Sequence, residues 1–343
     1  MVVPLDARLD LPAGEVTPLL AERALHLATY MSFAGLQEAL RLHFDVALSD
    51  SVLDALMQRV GGVSVSDAAV RVQELQAVEY ADREALVQQR PAWRPKRLYV
   101  STDGALYPSR NREENGGMKR VLYQEMKCGT VFWQNARGRW QKRVLAGRDS
   151  VAAFGLRLWE LAVRCGLLEA DEVIFISDGG AWCETIAQSY FRGVIRILDW
   201  YHLSEHVWET ARGLYEGDEA AAKRWAGECL DRLRESSGIG LLRLLERSRP
   251  RRRGAALAAL GSLIGYLKPR LAYTDYVDYE KAGYVIGSGA MEATCKQLVC
   301  QRLKGSGRQW SERGAAAMAH LIAHRLNQGW DTFWKTRPLQ RAA

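Results

Sequence analysis

Three acidic residues stand where chemistry on a phosphodiester would need them. Asp103 closes the β-prone run RLYVSTDG, Asp178 closes EVIFISDGG, and Glu292 sits in the helix-like stretch GSGAMEATCK. Two carboxylates at strand ends and a third on a helix can hold a pair of hard, oxygen-loving cations. Such a pair stabilises both the attacking and the leaving oxygen of an in-line displacement at phosphorus. Both aspartates are followed by glycine, which lets the chain turn tightly beside an ion. A lone aspartate after a strand is ordinarily a turn or cap residue, so the pattern rests on the three together. It predicts metal-dependent cutting and joining of nucleic-acid strands, with two Mg²⁺ ions, or Mn²⁺ in their place, as cofactors.

Other residues extend or compete with this pattern. Lys296, Arg302, Lys304 and Arg308 follow Glu292 on or near the same helix, with Gly305 and Gly307 between them, and basic groups there suit phosphate clamping. The densest positive run is RSRPRRRG, with Arg247, Arg249, Arg251, Arg252 and Arg253. It reads either as a solvated loop between helices or as a phosphate contact, because guanidiniums this close repel unless an anion is near. Trp182 and Trp310 read as base-stacking platforms or, more ordinarily, as core or rim residues. His202, Glu205 and His206 form H-x-x-E-H, a zinc-peptidase pattern, but no third ligand is apparent and it leaves Asp103 and Glu292 unexplained.

The elements that must position these residues fall into regions. Residues 1–90 read as a small helical module. LLAERALHLATY has helical spacing, SFAGLQEALRLHF begins at Ser32 as N-cap, and LSDSVLDALMQRVGG is capped at Ser49 or Asp50 and ended by Gly61. The tight turn near Asp45–Ser49 makes a helix-turn-helix one reading and a plain helix pair the other. Residues 66–89 read as a polar connecting helix, and PAWRPK as a stiff boundary.

From residue 97 the pattern turns to strands: RLYVST, then VLYQEMKCGTVFW and RWQKRVLAG around Asn135–Gly138. A helix capped at Asp149 or Ser150 follows, then strand EVIFISD, helix AWCETIAQSYF and strand VIRILD. The order β-β-β-α-β-α-β predicts an α/β ribonuclease-H-like core, a mixed sheet with helices on both faces. Its first strand would end at Asp103 and its fourth at Asp178, and ligands gather at such strand ends. After Asp199 only helices are predicted, which makes residues 201–283 an all-helical insertion between 91–200 and the C-terminal part of the core at 284–343.

Three segments resemble DDE insertion-sequence transposases of the ISKra type. STDGALYPSR with EMKCGTVF resembles their first-aspartate region. ISDGGAWCETIAQSYFRGVIRILDWYHLSEHVWE is similar to the second, and YVIGSGAMEATCKQLVCQRLKGSGRQWSERGAAAMAHLIAHRLN to the glutamate region. The match runs from about residue 90 to 335. By that resemblance Asp103, Asp178 and Glu292 are the catalytic and metal-binding triad. It also gives meaning to Asp199 and His202, spaced as D-x-x-H: related enzymes with a helical insertion carry such a motif after the second aspartate. The pair would position DNA or orient a metal-bound water, or else Asp199 caps the next helix and His202 packs. Cys295 belongs to the family pattern without a chemical role. Family members commonly begin with a paired-cysteine segment, and this chain starts inside the corresponding region, which bears on recognition of the element's ends.

Composition agrees with that chemistry. The chain has 343 residues and a net charge of +7, a modest excess that suits a polyanion. The expected partner is double-stranded DNA, both element ends and target, with a homo-oligomer assembled on it and no membrane. The six cysteines are scattered without a C-x-x-C pair, which points to reduced thiols in a cytoplasmic, nucleoid-associated protein. The first residues lack a basic stretch followed by an apolar one, so no secretory signal is expected. A catalytically silent, transposase-derived DNA-binding protein and a zinc hydrolase are the alternative functions.

Overall fold

Short hydroxyl side chains set the helix starts. In the computed structural model, which describes residues 16–87, 91, 93–115, 118–249, 253–336 and 338, α1 (Pro18–Ala28), α2 (Phe33–Phe44) and α3 (Asp50–Gln76) begin behind Thr17, Ser32 and Ser49. Each hydroxyl accepts the N–H three residues on, at 3.4, 3.1 and 3.3 Å, which satisfies one donor the helix cannot. The turn between α2 and α3 starts at Asp45 in the left-handed region, φ 52°.

Gly61 does not end α3, which runs on to Gln76. The glycine serves packing instead: a Cβ there would stand 2.7 Å from the Ala317 carbonyl oxygen on α11 (Glu312–Leu326). The connecting helix expected over 66–89 is therefore the end of α3, followed by a 3₁₀ segment at Tyr80–Leu86. The N-terminal helices are also no separate module. Leu25, Leu36, Leu53 and Met57 share one apolar core with Met318, Leu321 and Ile322 of α11 and with Tyr107, Met126 and Cys128 of the sheet.

The chain divides into two compact units: one holds residues to Leu98, Thr102–Ala170 and from Ala290 on; the other holds Tyr99–Ser101 and Asp171–Gly289. β1 (Arg97–Asn115) belongs to both. The first unit carries β2 (Met118–Gln134), β3 (Trp140–Gly147) and α4 (Val151–Arg164), which starts at Ser150 as one of the two expected caps. The second carries β4 (Glu172–Ser177), α5 (Ala181–Tyr190) and β5 (Ile195–Leu198). Strand order is β3-β2-β1-β4-β5, antiparallel between β2 and β3 and parallel between β4 and β5. This is a mixed five-stranded sheet with flanking helices, consistent with the ribonuclease-H-like expectation.

The first strand is longer than its sequence suggests. Asp103 lies inside β1 and does not end it. Gly104 sustains the pairing, since a Cβ there would run into the Glu125 carboxylate across the strand pair. Past β5 come α6 (Trp200–Leu214), α7 (Glu219–Ser248), α8 (Gly254–Leu267), a 3₁₀ turn Lys268–Tyr273 and α9 (Tyr276–Lys281). α7 is kinked at Ser236–Ser237, and GLLRLLERS forms its far half. α10 (Gly289–Cys295) continues through a π-helical turn, Lys296–Cys300, into Gln301–Leu303, and α12 (Trp330–Lys335) closes the described chain. No described helix is long and apolar enough to cross a membrane.

Candidate active site

The segments that carry two of the three acids share the core of the first unit. Side chains alternate along a strand, so Asp103 points the same way as Ala105 and Tyr107. Those two are buried in the core that also holds Met291, Cys295 and Leu298 of the Glu292 segment. Opposite, on β2, Met126 and Cys128 complete that face. Cys128 senses the charge of Asp103 and touches Cys295, and the Cys295 thiol, followed by burial, pushes the Cys128 thiol well above its ordinary range. Cys295 lies one helical turn beyond Glu292, so the thiol contact fixes the acid-bearing helix on the Asp103 face. This gives Cys295 the packing role that its sequence left open. Asp103 is half-buried and Glu292 exposed. The π turn that follows inserts one residue into the helix just past Glu292, a distortion frequent at functional sites.

Asp178 belongs to the second unit and does close its strand. Its carboxylate Oδ1 accepts the Gly180 N–H at 2.8 Å, a local turn that aims the side chain. The backbone is held from the helical insertion: Tyr266 Oη donates to the Asp178 carbonyl at 2.7 Å. Arg270 donates to the Gly179 carbonyl through Nε at 3.1 Å and Nη2 at 2.6 Å. Gly179 sits at φ +75°, and the Arg270 side chain occupies the space a Cβ would take. Neither Tyr266 nor Arg270 was picked out from the sequence. Their i, i+4 spacing across the end of α8 was the available signal, without a hint of what they hold.

Asp199 combines capping with a second task. It is buried, accepts the Tyr201 N–H at 3.1 Å as N-cap of α6, and accepts the Ser288 N–H at 3.0 Å and the Ser288 hydroxyl. Ser288 immediately precedes α10, so Asp199 fixes the start of the helix that carries Glu292. The loop is fastened further by Trp200 N to Ile286 O at 3.0 Å. His202 does pack: its ring meets His206 edge-on at 5.1 Å, and His206 lies 4.1 Å from the Tyr266 ring. Burial, then His202 and Arg270, lower the His206 pKa. These imidazoles face a phenol, which leaves the zinc-peptidase pattern without geometric support. Among the described residues no group of three or more His, Cys, Asp or Glu side chains is arranged to hold a metal ion.

The basic candidates divide. Lys296 and Lys304 are exposed. Arg302 is a correction: only 2% exposed, it donates through Nε to the Ala28 carbonyl at 2.7 Å and lies over the Phe33 and Trp310 rings. Burial, then Arg308, lower its pKa to about 10. It fastens the C-terminus of α1 and cannot reach DNA. Arg308 donates to the Arg302 carbonyl at 2.6 Å, capping the end of the α10 continuation. Trp310 is core: its ring N–H donates to Leu303 O at 3.1 Å, and its backbone pairs with β1 at Pro108 and Arg110. Trp182 is half-buried on α5. Arg253 is the exposed residue before α8, while Arg251 and Arg252 lie outside the described residues. All six cysteines are free thiols, five of them buried.

No family model and no curated protein matches the chain. Among solved structures, it is similar to a chain of the Drosophila P element transposase strand transfer complex at 10% identity and a TM-score of 0.32, covering 96% of this chain and 82% of that one.

Proposed function

We propose that the chain is a DDE-type transposase, akin to the ISKra-type insertion-sequence enzymes, which cuts DNA at an element's end and joins that end to target DNA. The observation that carries this reading is the arrangement of acid-bearing elements in the sheet. β4, which Asp178 closes, is the neighbour of β1, which holds Asp103, and the Glu292 helix packs on the face that Asp103 shares. The donor set is all carboxylate, which suits Mg²⁺ or Mn²⁺ and disfavours zinc. Two such ions, held by Asp103, Asp178 and Glu292, would supply the charge that activates a water or 3′-hydroxyl and stabilises the leaving oxygen.

The protein's own groups act around that centre. The three carboxylates serve as ligands and not as covalent nucleophiles. Asp199 holds Ser288 and with it the start of α10. Lys296 and Lys304, exposed beyond Glu292, supply phosphate contacts that position a strand without reading its sequence. In a plasmid-nicking assay with Mg²⁺, Asp103→Ala, Asp178→Ala and Glu292→Ala should each abolish cleavage. Duplex affinity should stay near wild type, because it comes from distributed phosphate contacts. Robust cleavage by any one of the three variants would remove that residue from the site. Cleavage by all three would sink the assignment.

A further inference from the structure

The insertion that separates β5 from the Glu292 helix ends in a fork of hydrogen bonds on the Asp178 turn. Arg270 spends its guanidinium on two carbonyls, that of Gly179 through Nε and Nη2 and that of Tyr266 through Nη1 at 2.6 Å. It also lies over the Tyr266 ring, 4.5 Å from the centroid. Tyr266 in turn donates to the Asp178 carbonyl. Two consecutive peptide carbonyls are thereby fixed by donors from one short segment, and the Gly180 N–H fixes the carboxylate between them.

Two features make this a device for orientation rather than generic packing. Gly179 is at positive φ, so the turn has a conformation that other residues adopt only under strain. The space beside it is filled by the arginine itself. The His206 ring lies 4.1 Å from the Tyr266 ring and His202 meets His206 edge-on, so the H-x-x-E-H segment packs against the clamp.

We infer that Tyr266 and Arg270 are positioning residues that hold the Asp178 carboxylate in the orientation a divalent cation needs, with the helical insertion serving as the arm that delivers them. The inference rests on the reading of Asp178 as a metal ligand. An arginine fork fixes a carbonyl in direction as well as distance, which a lysine cannot reproduce. Groups that orient ligands from behind typically change metal affinity by about 10–100-fold when lost.

The test is binding of Mn²⁺ alone to the full chain, followed by electron paramagnetic resonance of the free ion. It compares wild type, Tyr266→Phe, Arg270→Lys and Asp178→Ala, with circular dichroism and duplex binding as controls for folding. Tyr266→Phe removes one hydroxyl and keeps the ring, so it remains informative should the arginine variant unfold. Each clamp variant should raise the Mn²⁺ dissociation constant about tenfold. Each should also raise the Mg²⁺ concentration needed for half-maximal nicking, while the rate at saturating metal stays near wild type. Loss of Mn²⁺ binding in Asp178→Ala with wild-type affinity in both folded clamp variants would overturn the clamp alone. Wild-type affinity in Asp178→Ala would overturn the metal-ligand reading itself and the clamp with it.

Discussion

Asp103, inside β1, and Asp178, just past the end of β4, are supported by different physics. Around Asp103 the support is apolar: Ala105, Tyr107, Met126 and Cys128 pack with Met291, Cys295 and Leu298. Around Asp178 it is a set of directed bonds from Gly180, Tyr266 and Arg270. Apolar support responds to volume and forgives changes that conserve it. Directed bonds respond to the loss of a single donor, because the partner left behind is then buried without one. The first unit should therefore break where space is filled or polarity is forced into its core, and the second where one polar atom is removed.

The largest effect on this contrast is expected from pH, acting on the first unit. Ser64 on α3 meets two histidines of α11, His320 Nδ1 at 3.1 Å and His324 Nε2 at 2.8 Å, and Arg157 Nη2 reaches His320 Nε2 at 3.3 Å. Burial, opposed for His324 only by Asp67, lowers its pKa from 6.5 to about 4. Burial, then Arg157 and His324, lower that of His320 as well. Both are neutral when folded, and the unfolded chain takes up protons first. Their neutral form costs nothing above pH 6.5, and stability falls as pH drops from there toward 4. For His324 alone the loss is on the order of 3 kcal/mol by linkage. His206 in the second unit is lowered too, but it is only half-buried, so its share should be smaller. Amide exchange at pH 7 and pH 5 should show α11 losing protection before α8; equal loss would place the burden elsewhere.

Next in size is a pair of adjacent glycines with opposite expected signs. Alanine normally favours a helix over glycine by about 1 kcal/mol. At Gly62 the added Cβ would lie 3.9 Å from Arg313 Nη2, so Gly62→Ala should gain about that much. At Gly61 it would lie 2.7 Å from the Ala317 carbonyl oxygen, and backbone cannot swing aside. Gly61→Ala should lose about 2 kcal/mol or more by forcing α3 and α11 apart. Urea midpoints of the two variants decide the matter, and a stabilising Gly61→Ala would mean that the helices do not approach there.

Those glycines show what was legible in the sequence and what was not. Caps at Ser32, Ser49 and Ser150, the strand pair around Asn135–Gly138, and the alternation of β4 and helices beyond it depend on neighbours in the chain, and local pattern reports them. Gly61 carries the same letter whether it ends a helix or admits another helix, and only Ala317, far along the chain, distinguishes the two. Asp103 looked like a strand end because Asp-Gly is a turn signal, yet Gly104 makes room for Glu125 across the hairpin. Arg302 scored as a phosphate contact because charge is read as surface. Its Nε instead serves the Ala28 carbonyl, an acceptor that leaves no trace in sequence. The groups that hold Asp103 and Asp178, such as Cys295, Tyr266 and Arg270, left no comparable trace in the sequence.

The smallest effect tests the second unit's reliance on single polar atoms. Within α7, Ser237 has φ 54° and ψ −166°, a region nearly reserved for glycine, and such a residue stores about 1–3 kcal/mol of strain. Its hydroxyl donates to Asp275 Oδ1 at 2.9 Å and accepts the Val277 N–H at 3.3 Å, which ties the kink to the start of α9. Those bonds are worth about 0.5–1.5 kcal/mol each, more when a charged partner is left behind. Ser237→Gly relieves the strain and loses the bonds, and the freer unfolded glycine adds a cost of about 0.5–1 kcal/mol. The terms nearly cancel, so the net change should lie within about 1 kcal/mol of zero. Ser237→Ala loses the same bonds and keeps the strain. It should be the less stable of the two by about 1–2 kcal/mol. Paired urea titrations read that difference directly, with the hydroxyl removed in both. Equal stabilities would limit the strain to the about 0.5–1 kcal/mol that glycine's unfolded freedom costs, and a Ser237→Gly less stable than Ser237→Ala by that amount would mean that none is stored at the kink.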